Sequence, residues 1–349
     1  MTAQEARIAV YGAGAMGTVL GALLTKGGLK NVWLITRNES HVSGLKKEGA
    51  TIVCEAEEKT ITTPVKAITP QEMTGKYDVV FLMTKQRNNA EILQFLTPFL
   101  HEESVVCTTQ NGLPEQSVAH EVGTKRTYGA ATSFGATFLG EGKTALTSKT
   151  DGMSMEIGGY LNENEKTPLL AEILSYAGKA VGNTDFVKES QNLLGARWSK
   201  LAINAAFSGL SVVTGMTFGE IAKKGKSRKV ALAVLRECID VAKALNVTLA
   251  PMQGHDMEKL LGGKTWFKRM FAYMVLPFAM KKHKKLLSGM LKDVENGRKC
   301  EIDFIDGIVC AEGKKVNVPT PYTEKIVEIV HGIENGLYEI SYENIDFFD

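Results

Sequence analysis

The sequence predicts an α/β fold, with a doubly wound, mainly parallel sheet at the N-terminus and an all-helical C-terminal domain. Three observations predict it. Short apolar runs alternate with helical patterns through the first half of the 349-residue chain. A glycine-rich turn, Gly12-Ala13-Gly14-Ala15-Met16-Gly17, joins the first apolar run to the first helix. Beyond about residue 188 the two-residue periodicity of strands almost disappears and helical spacing takes over.

Taken in order, Arg7–Tyr11 (RIAVY) reads as a buried strand, Met16–Lys26 as a helix and Val32–Thr36 (VWLIT) as a second strand. Tyr77–Met83 (YDVVFLM) and Ser104–Thr108 (SVVCT) read as later strands. Uninterrupted apolar strands that alternate with helices indicate a parallel sheet covered on both faces. The Gly-, Ala- and Thr-rich segment Tyr128–Thr147 and the run Met153–Ile157 are expected to extend this sheet, with antiparallel strands among them. Gln191–Val213 and Val230–Leu245 then read as long helices. The domain boundary is expected near 188, dividing the chain into 1–188 and 189–349.

Composition narrows the function classes. With 44% hydrophobic and 23% charged residues the chain can bury two cores. Its 41 basic and 39 acidic residues leave a net charge of +2, which gives no reason to expect a nucleic-acid partner. The cysteines, at 54, 107, 238, 300 and 310, are scattered and form no CxxC pair. Neither a disulfide framework nor a zinc site is expected, and a reducing cytoplasm fits best. No secretory signal and no uncharged run of about 18 apolar residues is visible, so no membrane partner is expected.

The glycine turn carries the first chemical inference. In the order strand, GxGxxG, helix, Gly12 permits the tight turn and Gly14 lets a pyrophosphate approach the backbone. Gly17 lets helix and strand pack closely, while the helix start at Ala15 and Met16 presents free N–H groups to phosphates. This is the pattern of a Rossmann-type dinucleotide site. The second strand bears on which dinucleotide. Where an NAD site places an acid, this chain has Thr36-Arg37-Asn38, and Arg37 can pair with a 2′-phosphate. NADPH/NADP+ is therefore the expected cofactor, with Glu39 keeping NAD as the alternative.

The second inference comes from Arg197–Ser211. Lys200, Asn204 and Ser208 are spaced i, i+4, i+8 on one face of a largely apolar helix, and Ser211 is expected to continue that face. Such a stripe either bonds to a neighbouring helix or lines a cleft, with Lys200 as an acid.

Together these blocks resemble ketopantoate reductase (2-dehydropantoate 2-reductase), over nearly the whole chain. The resemblance rests on Gly12–Gly17, Lys85 after the strand VVFLMT, Gln110-Asn111-Gly112, and Arg197-Trp198-Ser199-Lys200-Leu201 followed by Asn204. It continues in Ser288–Asp293, Cys300–Gly307 and Val318-Pro319-Thr320-Pro321. It implies NADPH-dependent reduction of ketopantoate to D-pantoate, in the route to pantothenate and coenzyme A. By the same resemblance Lys200 is the general acid and Glu301 holds a substrate hydroxyl and orients the lysine. Asn111 sits where nicotinamide and substrate meet, and Asn204 bonds the substrate. Arg37 and Lys85 assist cofactor binding. A homodimer whose helical domain serves substrate binding and dimerisation is also expected.

Two departures bear on the substrate more than on the reaction. Ser208 stands where relatives often carry a second Asn, and Ser288-Gly289 replaces a Ser-Ser pair, which leaves Ser288 as the adjacent hydroxyl. Extra residues lie around 250–285. Reduction of another 2-keto acid or an imine is thus one alternative, and a non-catalytic NADP(H)-binding sensor is another. Lys200 with Glu301 argues against the sensor. Within the extra region, Lys264–Lys285 combines aromatics with seven Lys/Arg. It reads as a helical hairpin packed on the second domain with solvated lysines, bent or ended at Pro277. The other reading is a basic amphipathic helix on a membrane surface.

Overall fold

The computed structural model describes residues 1–251, 256–263 and 265–348. Lys264, first residue of the basic aromatic segment, lies outside them. The chain forms two compact units, 1–110 with 114–193, and 111–113 with 194–349.

The first unit begins with β1 (Ile8–Tyr11), α1 (Ala15–Lys26), β2 (Val32–Ile35) and α2 (Glu39–Glu48). A three-strand excursion follows, β3 (Ala50–Cys54), β4 (Lys59–Thr63) and β5 (Lys66–Ile68). Next come β6 (Tyr77–Leu82), α3 (Asn89–Leu96), β7 (Leu100–Thr108), α4 (Glu115–Val122) and β8 (Thr127–Thr132). The unit closes with β9 (Ala136–Gly140), β10 (Lys143–Leu146), β11 (Met155–Gly159), α5 (Thr167–Val181) and β12 (Val187–Glu189).

The main sheet has eight strands in the order β12-β11-β8-β7-β6-β1-β2-β5. Its centre is parallel, with Ile8 opposite Val32 on one side and Val79 on the other. Strand residues alternate between two cores. Ile8 and Val10 pack with α1 and α5, whereas Ala9 and Tyr11 pack with α3 and α4. Every residue of β1 is buried, which is why it reads as an unbroken apolar run. The chain leaves β1 toward β2 on one side and later returns as β6 on the other. The strand order thus reverses between β1 and β6, where open α/β sheets place their ligands.

The expected extension of the sheet is only partly what forms. β8 and β11 join it, antiparallel to each other. β9 and β10 instead pair with β3 and β4 in a separate four-stranded sheet, β4-β3-β10-β9. The change of character expected at 188 falls inside β12, which pairs in parallel with β11 and holds the chain in the first unit through Leu193.

The second unit is helical among the described residues. α6 (Leu193–Asn204) runs into a π-helical turn, Ala205–Gly209, and on into α7 (Leu210–Thr214). Then come α8 (Phe218–Lys223), α9 (Gly225–Ala244), α10 (Met257–Leu261) and α11 (Trp266–Ala279). The last three are α12 (Gly289–Glu295), α13 (Ile302–Lys315) and α14 (Pro321–Glu334). The α6–α7 helix, α9, α13 and α14 share one core built around Trp198, Phe207, Leu235 and Ile326. Glu237 of α9 starts α14: its buried carboxylate accepts the Tyr322 and Thr323 N–H groups, each at 2.9 Å, and the Thr323 hydroxyl at 2.6 Å. Pro277 does not end α11, which runs two residues further before tightening.

Candidate active site

The glycine turn is built by close approach on one side and open space on the other. Gly12 has φ +98°, and a Cβ there would lie 2.7 Å from the Met83 carbonyl carbon and the Thr84 nitrogen. It therefore lies against the end of β6, at the reversal of strand order. A Cβ on Gly17 would lie 2.6 Å from the Gly12 carbonyl oxygen, so this glycine allows α1 to pack on the turn. A Cβ on Gly14 would meet nothing within 4 Å. Gly14 is the N-cap of α1 and makes no side-chain cap, so the amides opening the helix at Ala15 and Met16 face a space that no side chain fills. That is the cradle a pyrophosphate requires.

Arg37 is exposed in the turn after β2. Its neighbour Asn38 is committed to the fold, since its Oδ1 accepts the His41 N–H at 3.0 Å and caps α2. Glu39, the residue behind the NAD alternative, is exposed in the first turn of that helix. Lys85 is exposed immediately after β6, and Asn111 is exposed after β7. The loops that carry them are joined by a residue to which sequence reasoning assigned no role. Gln110 is buried; its Nε2 donates to the Thr84 carbonyl at 2.9 Å and to Asn89 Oδ1 at 2.7 Å. Its Oε1 accepts from Asn89 Nδ2 at 3.1 Å and from the Thr108 hydroxyl at 2.9 Å. Asn89 stands among exposed and half-buried polar residues and has no periodic signal, so nothing local marks it.

His41 was missed as well. Its Nδ1 accepts the Gly142 N–H at 2.9 Å, so the proton lies on Nε2, which donates to the Thr18 hydroxyl at 2.9 Å. Burial pushes its pKa below the usual histidine range, and it serves as a neutral tie between α1, α2 and the small sheet.

In the helical unit, Lys200, Ile203, Asn204 and Ser208 are the only residues from Gly195 to Thr214 with partial exposure; the other positions are buried. The polar stripe therefore occupies the one face that the unit's core leaves uncovered. The π turn begins just after Asn204 and contains Ser208, and such widened turns recur at functional sites. Ser211 does not continue the face. It is fully buried, its hydroxyl donating to the Met216 carbonyl at 2.8 Å and accepting the Ser288 N–H at 3.4 Å. Burial, reinforced by the neighbouring Arg197 guanidinium, pushes the Lys200 ammonium down to about 7. Arg197 is itself 1% exposed.

Glu301 is buried at the N-cap position of α13, rather than lying on a helix surface. Ser288 is buried and its oxygen caps α12 by accepting the Met290 N–H at 3.1 Å. Its hydroxyl is thus committed to the fold in a way its sequence neighbours do not announce. The adjoining Gly289 is exposed, and a Cβ there would meet nothing within 4 Å. Both α12 and α13 pack against the π turn, so Ser288, Glu301 and the stripe are carried by adjoining elements of one unit.

Asp306, five residues after Glu301, was not singled out. It is fully buried, and neither carboxyl oxygen has a hydrogen-bond partner among the described residues. A Cβ on Gly209 would lie 2.9 Å from one of those oxygens, which places the carboxyl against the π turn. Burial raises its pKa well above the usual carboxylate range.

Comparison with known proteins agrees over most of the chain. Residues 8–159 match the family described as ketopantoate reductase PanE/ApbA, and residues 192–334 match its C-terminal domain. A 2-dehydropantoate 2-reductase of Lactococcus lactis subsp. lactis (strain IL1403) is 29% identical over 335 residues, covering 95% of this chain and 99% of that protein. Two solved structures share the fold, each at 22% identity and TM-score 0.78, over 95% of this chain and 99% of theirs. One is a PanE/ApbA family ketopantoate reductase from Ralstonia eutropha JMP134. The other is a D-mandelate dehydrogenase in ternary complex with NADH and anilino(oxo)acetate.

Proposed function

The chain belongs to the ketopantoate reductase family of oxidoreductases, and from that premise we propose that it reduces 2-dehydropantoate to D-pantoate with NADPH. The observation that carries the reading is the uncovered face of the α6–α7 helix, where Lys200, Asn204 and Ser208 stand with Ile203 on an otherwise buried element.

A nicotinamide dinucleotide held by the Gly12–Gly17 turn would supply the hydride for the ketone carbon. Negative charge then develops on the ketone oxygen, and Lys200 donates the proton that neutralises it. A lysine with a pKa near 7 suits the task, because at neutral pH it is both sufficiently protonated and a better acid than an ordinary lysine. Glu301 holds a substrate hydroxyl and orients Lys200. Asn204 and Ser208 bond polar groups of the substrate, and Asn111 adjoins the nicotinamide. Ser288 supports this wall through its cap on α12. The turn Gly12–Gly17 and Lys85 hold the dinucleotide, and the exposed Arg37 meets the 2′-phosphate. The unit works as a homodimer in the cytoplasm on this reading.

A second reading is favoured by Gly289 and Ser208. Both offer less hydrogen-bonding reach than the residues usual in relatives, which suits a 2-keto acid with a less polar tail. A dehydrogenase of D-mandelate shares this fold. The test is NADPH oxidation against a panel of 2-keto acids that includes ketopantoate, with NADH in parallel. Ketopantoate with NADPH is expected to give the highest kcat/KM. Preference for another acid would favour the second reading, and no oxidation with any acid would overturn both.

A further inference from the structure

We propose that α11 is an interfacial anchor that docks this protein on a negatively charged phospholipid surface. The helix has two apolar faces. Ala272 and Leu276, with Met280 just beyond the helix, are buried in the core of the helical unit. Tyr273 takes the Arg228 guanidinium over its ring at 4.3 Å, tying α11 to α9. On the opposite side Trp266, Phe267, Met270, Phe271, Met274 and Phe278 are 41–78% exposed. At about 100° per residue these six fall within a continuous arc of about 140°, and Lys268 and Arg269 lie outside it. The fold therefore presents a firmly seated helix with an apolar face of aromatics and methionines, Pro277 among them, toward solvent, which marks a surface that something covers.

Charge identifies what covers it. Residues 259–292 contain nine Lys/Arg and no Asp or Glu, whereas the rest of the chain carries 32 Lys/Arg against 39 Asp/Glu. Lys268, Arg269, Lys281, Lys284 and Lys285 are exposed beside the arc. Two copies meeting through this face would bring these cations together with no acidic partner in the segment. An anionic bilayer offers the complement to both features: acyl chains for the arc, phosphate headgroups for the lysines, and an interfacial level that suits tryptophan. Among the described residues no helix is long and apolar enough to cross a membrane, so the helix lies on the surface. The proposal departs from the expectation of no membrane partner and takes up the basic amphipathic reading of this segment instead, and it stands independently of the reductase reading.

The test uses the full chain and sedimentation with vesicles of phosphatidylcholine alone or with about one-third phosphatidylglycerol. Binding is expected to be at least about tenfold tighter to the anionic vesicles and to weaken severalfold at about 0.5 M salt. Tryptophan emission should shift to the blue, because Trp266 is 65% exposed whereas Trp198 is 1% exposed. The variant Trp266→Ser/Phe267→Ser/Phe271→Ser should lose binding with an unchanged circular dichroism spectrum. Lys281→Glu/Lys284→Glu/Lys285→Glu, which leaves the arc intact, should weaken binding about tenfold or more. Equal or absent binding to the two vesicle types would overturn the proposal. So would self-association of the protein alone that the serine variant abolishes, which would assign the face to a second copy.

Discussion

Replacing Gly12 and Gly14 separately by alanine distinguishes what the turn does for folding from what it does for the cofactor. At Gly12 an alanine suffers twice. Its φ of +98° lies where L-residues pay about 1–2 kcal/mol. Its methyl would stand 2.7 Å from two backbone atoms that follow β6, and overpacking of this kind costs about 1–3 kcal/mol. The sum, about 2–5 kcal/mol, should lower Tm by roughly 4–20 °C for a unit of this size. Gly14→Ala meets no neighbour within 4 Å and should change stability by less than about 1 kcal/mol. Its methyl occupies the space in front of the α1 amides, so NADPH affinity should fall about 10–100-fold, equivalent to about 1.4–2.8 kcal/mol. Thermal melts without cofactor and fluorescence titration with NADPH measure the two effects. Wild-type NADPH affinity in Gly14→Ala would refute the placement of the pyrophosphate. An unchanged Tm in Gly12→Ala would refute the close-approach argument.

Three further expectations rest on single residues. Arg37→Ala should weaken NADPH by about 1.5–3 kcal/mol and leave NADH nearly unchanged, and equal wild-type affinities for the two by titration would contradict the 2′-phosphate assignment. Asp306 holds its proton in the fold at pH values where the unfolded chain has lost it, so its contribution to stability is present below about pH 4 and falls as pH rises toward the folded pKa. Asp306→Asn should accordingly raise Tm more at about pH 8.5 than at about pH 5, and a pH-independent difference would show that Asp306 does not titrate in this way. Gly289→Ser restores a hydroxyl in open space, and it should lower KM for ketopantoate severalfold with little change in Tm; an unchanged KM would place the substrate elsewhere.

What could be read from the sequence was local. The glycine turn is legible because strand, turn and helix adjoin in the chain and each glycine has a distinct steric reason. The apolar runs of β1 and β6 are legible because burial on both faces removes alternation. The partition of β9 and β10 into a second sheet was not legible, because an alternating strand does not say which edge it joins. Nor does periodicity reveal a π turn: Ser208 keeps its i+4 relation to Asn204 whether the turn is α or π. Ser211 looked like a member of a polar face and Ser288 like a hydroxyl left for the substrate, yet tertiary packing uses both hydroxyls on the backbone. Nothing in the run Glu301-Ile302-Asp303-Phe304 marks Glu301 as buried until α13 is placed, and the Gln110–Asn89 pair forms only when the loops after β6 and β7 meet.

The proposed reaction depends most on the proton carried by Lys200, and the pH profile of kcat/KM for wild type and Lys200→Ala tests it directly. Reduction needs the ammonium, whose pKa lies at about 7. Wild-type kcat/KM with NADPH should therefore hold at lower pH and decline about tenfold per unit once pH has passed that value. In Lys200→Ala kcat should be about 10²–10⁴-fold lower, the decline should be absent, and NADPH affinity should stay near normal. A variant that keeps most of its kcat and the same pH profile would contradict the account, because the proton would then come from another group.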